Sequence, residues 1–284
     1  MNIVVCIKQV PDSAQIRVHP VTNTIMRQGV PTIINPYDLF SLEAALQLRD
    51  QTGGKVIVLT MGPPMAEDAL RKAMGIGADK AVLLTDRFFA GSDTLATSFS
   101  LSMAIAKIAE KEGPIDLVFC GKQTIDGDTA QVGPGIACRL GLNQLTYITS
   151  IEALDAKARE ITVQRRAEGG VQVLKTKLPC MITMLEGSNI VRRGSMPNVL
   201  RAAREPILTL NAAAAGIEDV TRCGLRGSPT VVKKVFAPKP RADKAKLIDT
   251  TNRSHTDIAN DAVEALFAAA PKLQSDLVGR AAQA

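Results

Sequence analysis

The stretch IDLVFCGKQTIDGDTAQVGPGIACRLG (115–141) decides the fold. Its first part, Ile115–Gly121, is a short apolar run broken only by Asp116 near its start, the pattern of a strand buried on both faces of a parallel sheet. A polar, glycine-containing loop follows, Gly121–Pro134. Then Ala130–Leu140 reads as a helix that stops at Gly141. Three more runs share the strand pattern: NIVVCI (2–7), KVIVLTMG (55–62) and AVLL (81–84). Helical periods separate them. Asp38–Gln51 places Leu39, Leu42, Ala45, Leu46 and Leu48 on one period, Met65–Met74 follows Pro63-Pro64, and Ser92–Glu112 opens on Ser92 or Asp93 as N-cap. Strands alternating with helices predict an α/β fold with a doubly wound, mostly parallel sheet.

After about residue 150 the pattern changes. Glu160–Arg165 and Val171–Lys175 flank Glu168-Gly169-Gly170, a β-hairpin signal. PCMITMLEG (179–187) is one more buried strand. From 192 to 240 no long periodic run appears, which predicts an extended C-terminal arm carrying one short turn. Residues 254–270 form a last amphipathic helix with Ile258, Ala262, Leu266 and Ala269 on one face, and the tail is expected to fray. The organisation predicted is an α/β domain over 1–190, a basic arm over 191–250 that binds a partner, and a C-terminal helix and tail over 251–284.

Composition narrows the function. With 46% apolar and 22% charged residues, the 284-residue chain has enough for a core and is not disordered. No run approaches the roughly 18 apolar residues of a spanning helix, and the N-terminus reads as a strand, not a secretion signal. A cytoplasmic protein is expected. Five dispersed cysteines without a CxxC pair, and two histidines (His19, His255), read as reduced core thiols without a metal site or triad. Aromatics at 3% leave little to stack nucleic-acid bases. The net charge of +6 is uneven: residues 192–246 hold 12 Lys and Arg against 4 acids, so the remainder carries −2. Such a segment docks to an acidic partner or is a solvated arm; no nucleic-acid motif accompanies it.

In an open α/β sheet, ligands bind beyond the carboxyl ends of the strands. Four loops are placed there: 8–12, 34–38, 60–64 and 121–134. The last is the most informative. A helix start offers free backbone N–H groups and the positive dipole end to a phosphate. Gly127 and Gly133 permit close approach, and Thr129 and Gln131 add donors. Asp126 and Asp128 would repel an anion, so they cap the helix or hold the loop. The alternative is an ordinary capped helix start; neither a Walker A loop nor GxGxxG is present. Asn35 reads as an exposed amide in a turn, able to bond a ribose or to hold the loop. Thr94 and Thr97 share a helix face and serve a second phosphate or a cap. Lys8 pairs with a carboxylate or phosphate or stays solvated, and Met196 in the basic arm is core or a plug for a partner's pocket.

Together VVCIKQVPD (4–12), NPYD (35–38), LTMGPP (59–64), DTLAT (93–97), GKQTIDGDTAQVGP (121–134) and LPCMITM (178–184) resemble the beta subunits of electron-transfer flavoproteins, in the family's order over residues 2–200. Within the family, IKQVPDSAQIRVHPVTNTIMRQGVPTIINPYDLF and RRAEGGVQVLKTKLPC are similar to the branch found in the FixABCX complex of nitrogen-fixing bacteria. The resemblance implies a Rossmann-type, adenine-nucleotide-alpha-hydrolase-like fold and an alpha-type, FixB-like partner. It implies a nucleotide in the strand-end crevice: FAD in electron-bifurcating members, AMP in ordinary ones, with TMGP, DTLAT and DGDTAQVGP matching the former. By family position the Cys6 backbone meets the adenine, Asn35 the nucleotide, and Met61 lies beside it. Thr94 and Thr97 reach the flavin half. Asp126, Gly127, Asp128, Thr129, Ala130, Gln131, Val132 and Gly133 cradle the pyrophosphate.

The implied activity is that of an electron-transfer subunit, not a stand-alone catalyst. Electrons from NADH divide between a FixC-like quinone reductase and a low-potential ferredoxin or flavodoxin that feeds nitrogenase, with a FixX-like ferredoxin among the partners and the membrane reached only through them. Met196 falls where the family places an apolar partner anchor, with Arg192 and Arg193 facing an acidic carrier. Two other readings stand beside this one: a conventional subunit holding AMP, and an ATP- or AMP-binding protein of the same fold.

Overall fold

The runs with no polar break form the middle of the sheet, because neither of their faces can be left to water. The computed structural model describes residues 1–12, 17–18, 25–26, 31–231 and 247–281. In chain order the first half comprises β1 (Asn2–Cys6), β2 (Gln9–Pro11), β3 (Arg17–Val18), β4 (Ile25–Met26), β5 (Thr32–Ile34), α1 (Pro36–Thr52), β6 (Lys55–Met61), α2 (Glu67–Ile76), β7 (Lys80–Leu84), α3 (Thr94–Glu112) and β8 (Leu117–Gly121). Then come α4 (Val132–Leu140), β9 (Asn143–Asp155), β10 (Glu160–Ala167), β11 (Gly170–Lys177), β12 (Cys180–Met184), α5 (Met196–Arg204), β13 (Leu208–Leu210), α6 (His255–Ala269) and α7 (Pro271–Ala281).

Among the described residues, nine strands make the main sheet in the order β11-β10-β9-β12-β8-β1-β6-β7-β13. All neighbours from β9 to β13 run parallel, and the β9-β10-β11 steps are antiparallel. The doubly wound, mostly parallel sheet with its hairpin is therefore present. One core lies under α1 and α2, with Leu42, Leu46, Leu70 and Met74 against Val5, Val58 and Phe119. The other lies under α3 and α4, with Ile105, Ile108 and Ile136 against Val4, Ile57, Leu59 and Val118. Residues 1–236 form one compact unit and 237–284 a second.

Several expectations need correction. Asn143–Asp155, for which the pattern predicts no element, is a 13-residue strand; its burial does not alternate, and Tyr147 within it has φ 60°. The region after 192 is not merely an extended arm. It contains α5, whose Ser195 N-cap accepts from Asn198, and β13, which extends the main sheet beside β7. Glycine, proline and arginine there mask a short capped helix. Helix α4 starts at Val132, two residues later than expected, and Asp93 is the cap of α3. Beyond α6 the chain carries a further helix, which Pro271 opens, and the final residues expected to fray, 282–284, lie outside the described residues. In α6, Ile258 and Ala262 are half-buried but Leu266 and Ala269 are exposed. Four cysteines are buried, whereas Cys138 is exposed on α4. His19 and Lys233, Lys234, Lys239, Arg241, Lys244 and Lys246 lie outside the described residues. No helix among the described residues is long and apolar enough to cross a membrane.

Candidate functional site

The chain winds from β1 outward through β6 and β7, then returns to the other side of β1 with β8. That reversal opens a crevice at the carboxyl ends of β1 and β8, the position where such sheets bind ligands. Three of the four predicted loops, 8–12, 34–38 and 121–134, are bonded to one another there, and 60–64 follows the neighbouring strand β6. A small ladder of β2 on β5 folds residues 32–34 back, so that the Asn35 amide donates to the Lys8 carbonyl at 2.9 Å.

Asn35 is fully buried, not exposed as expected. Its Nδ2 donates to the Gln123 carbonyl at 2.9 Å and its Oδ1 accepts from the Ile125 amide at 3.2 Å. An amide serves here because it satisfies one acceptor and one donor of the loop backbone at once. Asp38, placed by the sequence in the loop 34–38 and at the helix start but given no role of its own, completes the hold. Its carboxylate accepts from the amides of Lys8 at 2.7 Å and Gly121 at 3.1 Å. Gly121 is required: a Cβ there would stand 2.3 Å from Asp38 Oδ1. Burial raises the Asp38 carboxyl from 3.8 to about 7, outweighing the hydrogen bonds that lower it. The Asn-Pro-Tyr-Asp spacing was the available signal.

Neither loop aspartate caps α4. Asp126 takes a salt bridge from Lys8 at 2.8 Å. Partial burial works against its charge, yet Lys8 holds the carboxyl below the usual carboxylate range. Asp128 accepts from Gln123 Nε2 at 2.7 Å. Their negative charges are thus paired, by Lys8 and by Gln123, and no side chain among the described residues caps the start of α4. Gln131 at that N-cap instead accepts from Thr94 Oγ1 at 2.7 Å, joining α3's first turn to the loop. By contrast α3 is capped by Asp93, whose carboxylate occupies the position of an anion. The first helix start suits a phosphate; the second suits a neutral group reached by Thr94 and Thr97.

Asp128 and Ala130 adopt φ of 51° and 54°, unusual for residues with a Cβ, so the surrounding bonds hold the loop in a strained shape. Gly127 and Thr129 are exposed at its tip, and Val132 opens the helix. Gly133 lies against β12, where a Cβ would meet Thr183 Cγ2 at 3.0 Å and Met181 Sδ at 3.3 Å. Cys6 and Cys120 end adjacent strands and are buried. A hydrogen bond with the free Cys6 thiol, then burial, push the Cys120 thiol well up. Met61 is half-buried at the end of β6. Lys122 was also missed; its ammonium stands 5.6 and 5.7 Å from the rings of the chain's only two tyrosines, Tyr37 and Tyr147. Clefts of about 170 and 210 Å³ open at the opposite, amino-terminal end of the sheet, beside Asp116 and Lys80.

Arg192, Arg193 and Met196 are not part of this constellation. Arg192 is held by Glu43, Nε to Oε2 at 2.8 Å, and by Asp50, Nη1 to Oδ2 at 2.7 Å. Arg193 and Met196 are exposed, Met196 by 69%.

The model of the electron transfer flavoprotein domain matches residues 22–215. The chain belongs to the electron-transfer flavoprotein family. Over 277 residues it is 69% identical to "Protein FixA" of Sinorhizobium fredii, covering 98% of this chain and 97% of that one. It is 60% identical over 281 residues to "Protein FixA" of Azotobacter vinelandii, covering 99% and 100%. "Electron transfer flavoprotein subunit beta" of Megasphaera elsdenii is 46% identical over 245 residues, 85% of this chain and 89% of that one. Within the electron-transfer flavoproteins the chain is thus a beta-type member of the FixA kind, which makes its role electron transfer.

Proposed function

We propose that the chain is the nucleotide-holding half of an electron-bifurcating flavoprotein. In this reading it binds FAD in the crevice, takes electrons from NADH, and works in the cytoplasm with an alpha-type, FixB-like subunit. A FixC-like quinone reductase and a FixX-like ferredoxin are further partners, and ferredoxin or flavodoxin carries the low-potential electron to nitrogenase. The observation that carries the proposal is the start of α4: a helix end without a side-chain cap, facing a strained loop whose own carboxylates are paired elsewhere.

The residues fit a dinucleotide. Backbone amides from Thr129 to Gly133 would hold the diphosphate, with Thr129 and Gln131 as side-chain donors, since the amides of Gly127 and Asp128 already donate to the Thr124 carbonyl. Asn35 and Asp38 support the loop from beneath, and Lys8 keeps Asp126 turned away from the anion. The Cys6 backbone and Met61 would flank the nucleotide at the ends of β1 and β6. Thr94 and Thr97, on a helix start already satisfied by Asp93, would face the neutral ring. The chemistry supplied by a bound flavin is acceptance of a hydride and separate release of the two electrons; this chain sets its position, electrostatics and access. Arg193 and Met196 would meet the redox partner, while Arg192 anchors their loop.

The deciding experiment counts cofactors in the purified two-subunit complex. Two FAD per heterodimer are expected. One FAD with one AMP would overturn bifurcation and leave the conventional subunit; ATP hydrolysis by the chain would favour the third reading.

A further inference from the structure

Residues 211–230 are stitched to the loop that leads into α3. The Ala212 amide donates to Asp86 Oδ2 at 3.1 Å, and the Gly224 amide to Ser92 Oγ at 3.1 Å. Arg222 lies 3.9 Å from the centre of the Phe99 ring. Two glycines permit the contact: a Cβ on Gly91 would stand 2.7 Å from Leu225 Cγ, and one on Gly224 2.3 Å from the Phe88 carbonyl oxygen.

The seam ends on Asp93, whose carboxylate serves two elements. Oδ1 caps α3, accepting from the amides of Leu95 at 2.9 Å and Ala96 at 3.1 Å. Oδ2 accepts from the amide of Thr230 at 3.1 Å and its Oγ1 at 2.8 Å. The Asp93 amide donates to Ser228 Oγ at 2.8 Å. The next residue, Thr94, bonds Gln131 at the start of α4. A short bonded path therefore runs from the crevice loop through Thr94 and Asp93 to Ser228 and Thr230.

We propose that Asp93 is a positioning residue that couples occupancy of the crevice to the seating of residues 211–230. The inference rests on the nucleotide site proposed above. A nucleotide that orders Gln131 and Thr94 fixes α3's first turn, and with it the carboxylate that Thr230 grips. By linkage, losing the grip weakens nucleotide binding. Replacing Asp93 would also uncap α3, so the test is made at Thr230.

The measurement is amide hydrogen exchange of the full-length chain with FAD and with AMP as probes. Either bound nucleotide is expected to slow exchange over 126–133, over 92–97 and over 224–230. Thr230→Val removes the hydroxyl bond and keeps the amide one; the first response persists, the last is weakened, and nucleotide leaves about three- to tenfold faster, the scale of one hydrogen bond. Thr230→Ser restores both, and Ser228→Ala gives a milder version of the same loss. Protection over 126–133 with no response over 224–230 in the unmodified chain overturns the coupling and leaves the nucleotide site standing. So does Thr230→Val behaving as the unmodified chain. No protection over 126–133 removes the nucleotide site, and the coupling with it.

Discussion

Asp38 accepts from the amides of two loops that leave adjacent strands, so one carboxylate sets the floor of the crevice. Its pKa near 7, against 3.8 for the unperturbed group, means that the folded state keeps a proton that the unfolded chain has already released between those values. This group's contribution to stability is therefore largest at low pH. It falls as pH rises toward 7, by up to about 1.4 kcal/mol per unit, and then levels off. Asp38→Asn should remove that slope, and urea denaturation between pH 5 and 8 checks it. A slope that persists in the variant would place the proton elsewhere. Asp126 shows why residue type alone misleads. A carboxylate in an anion loop reads as repulsive, yet Lys8, 118 positions away, pairs with it. That pairing cannot be seen from the local run.

At the scale of elements, α5 shows what a sequence pattern hides. Its nine residues lie in a stretch dominated by breakers, but Ser195 caps it and Pro197 sits in its first turn, where proline is tolerated. The helix docks on α2 by an exchange of arginines. Arg201 donates to the carbonyls of Ala78 at 2.7 Å and Asp79 at 3.1 Å beyond the end of α2, and Arg71 of α2 donates to the carbonyl of Ala202 near the end of α5. Cations at helix carbonyl ends are favourable on dipole grounds as well. Arg201→Ala should cost about 2 kcal/mol, the range of charge-assisted hydrogen bonds, as read by denaturant midpoint. Arg201→Lys should recover only part, because one ammonium cannot reproduce the guanidinium fork. The central strands, by contrast, were legible: β1, β6, β8 and β12 are nearly continuous apolar runs, and burial on both faces requires that.

For the whole molecule, the basic segment changes meaning. Arg192 and Arg201 bond inward and Arg222 covers Phe99, so three of its cations fasten the chain to itself. Arg193 remains exposed beside Met196. Charge reversal therefore should separate two roles. Arg193→Glu is expected to slow electron transfer to an acidic partner at low salt, with the deficit shrinking as salt rises and no change in melting temperature. Arg192→Glu should lower the melting temperature, since it sets a third carboxylate against buried Glu43 and Asp50. A stopped-flow salt series beside a thermal melt distinguishes them; an Arg193→Glu rate equal to the unmodified one at every salt concentration would remove the docking role.

By itself the sequence determined the alternation of strands and helices, the parallel sheet, the hairpin and the loop at 121–134 as the place to look, together with the family. Those properties are written in local periodicity and in short motifs. The tertiary structure alone decided which polar side chains are used up in holding that loop and which face the crevice. Asn35, Asp38, Asp126 and Arg192 find their partners 30 to 149 residues away along the chain. Such partners become neighbours only when the sheet closes, and a buried polar group then takes whichever complement the fold brings within hydrogen-bond reach.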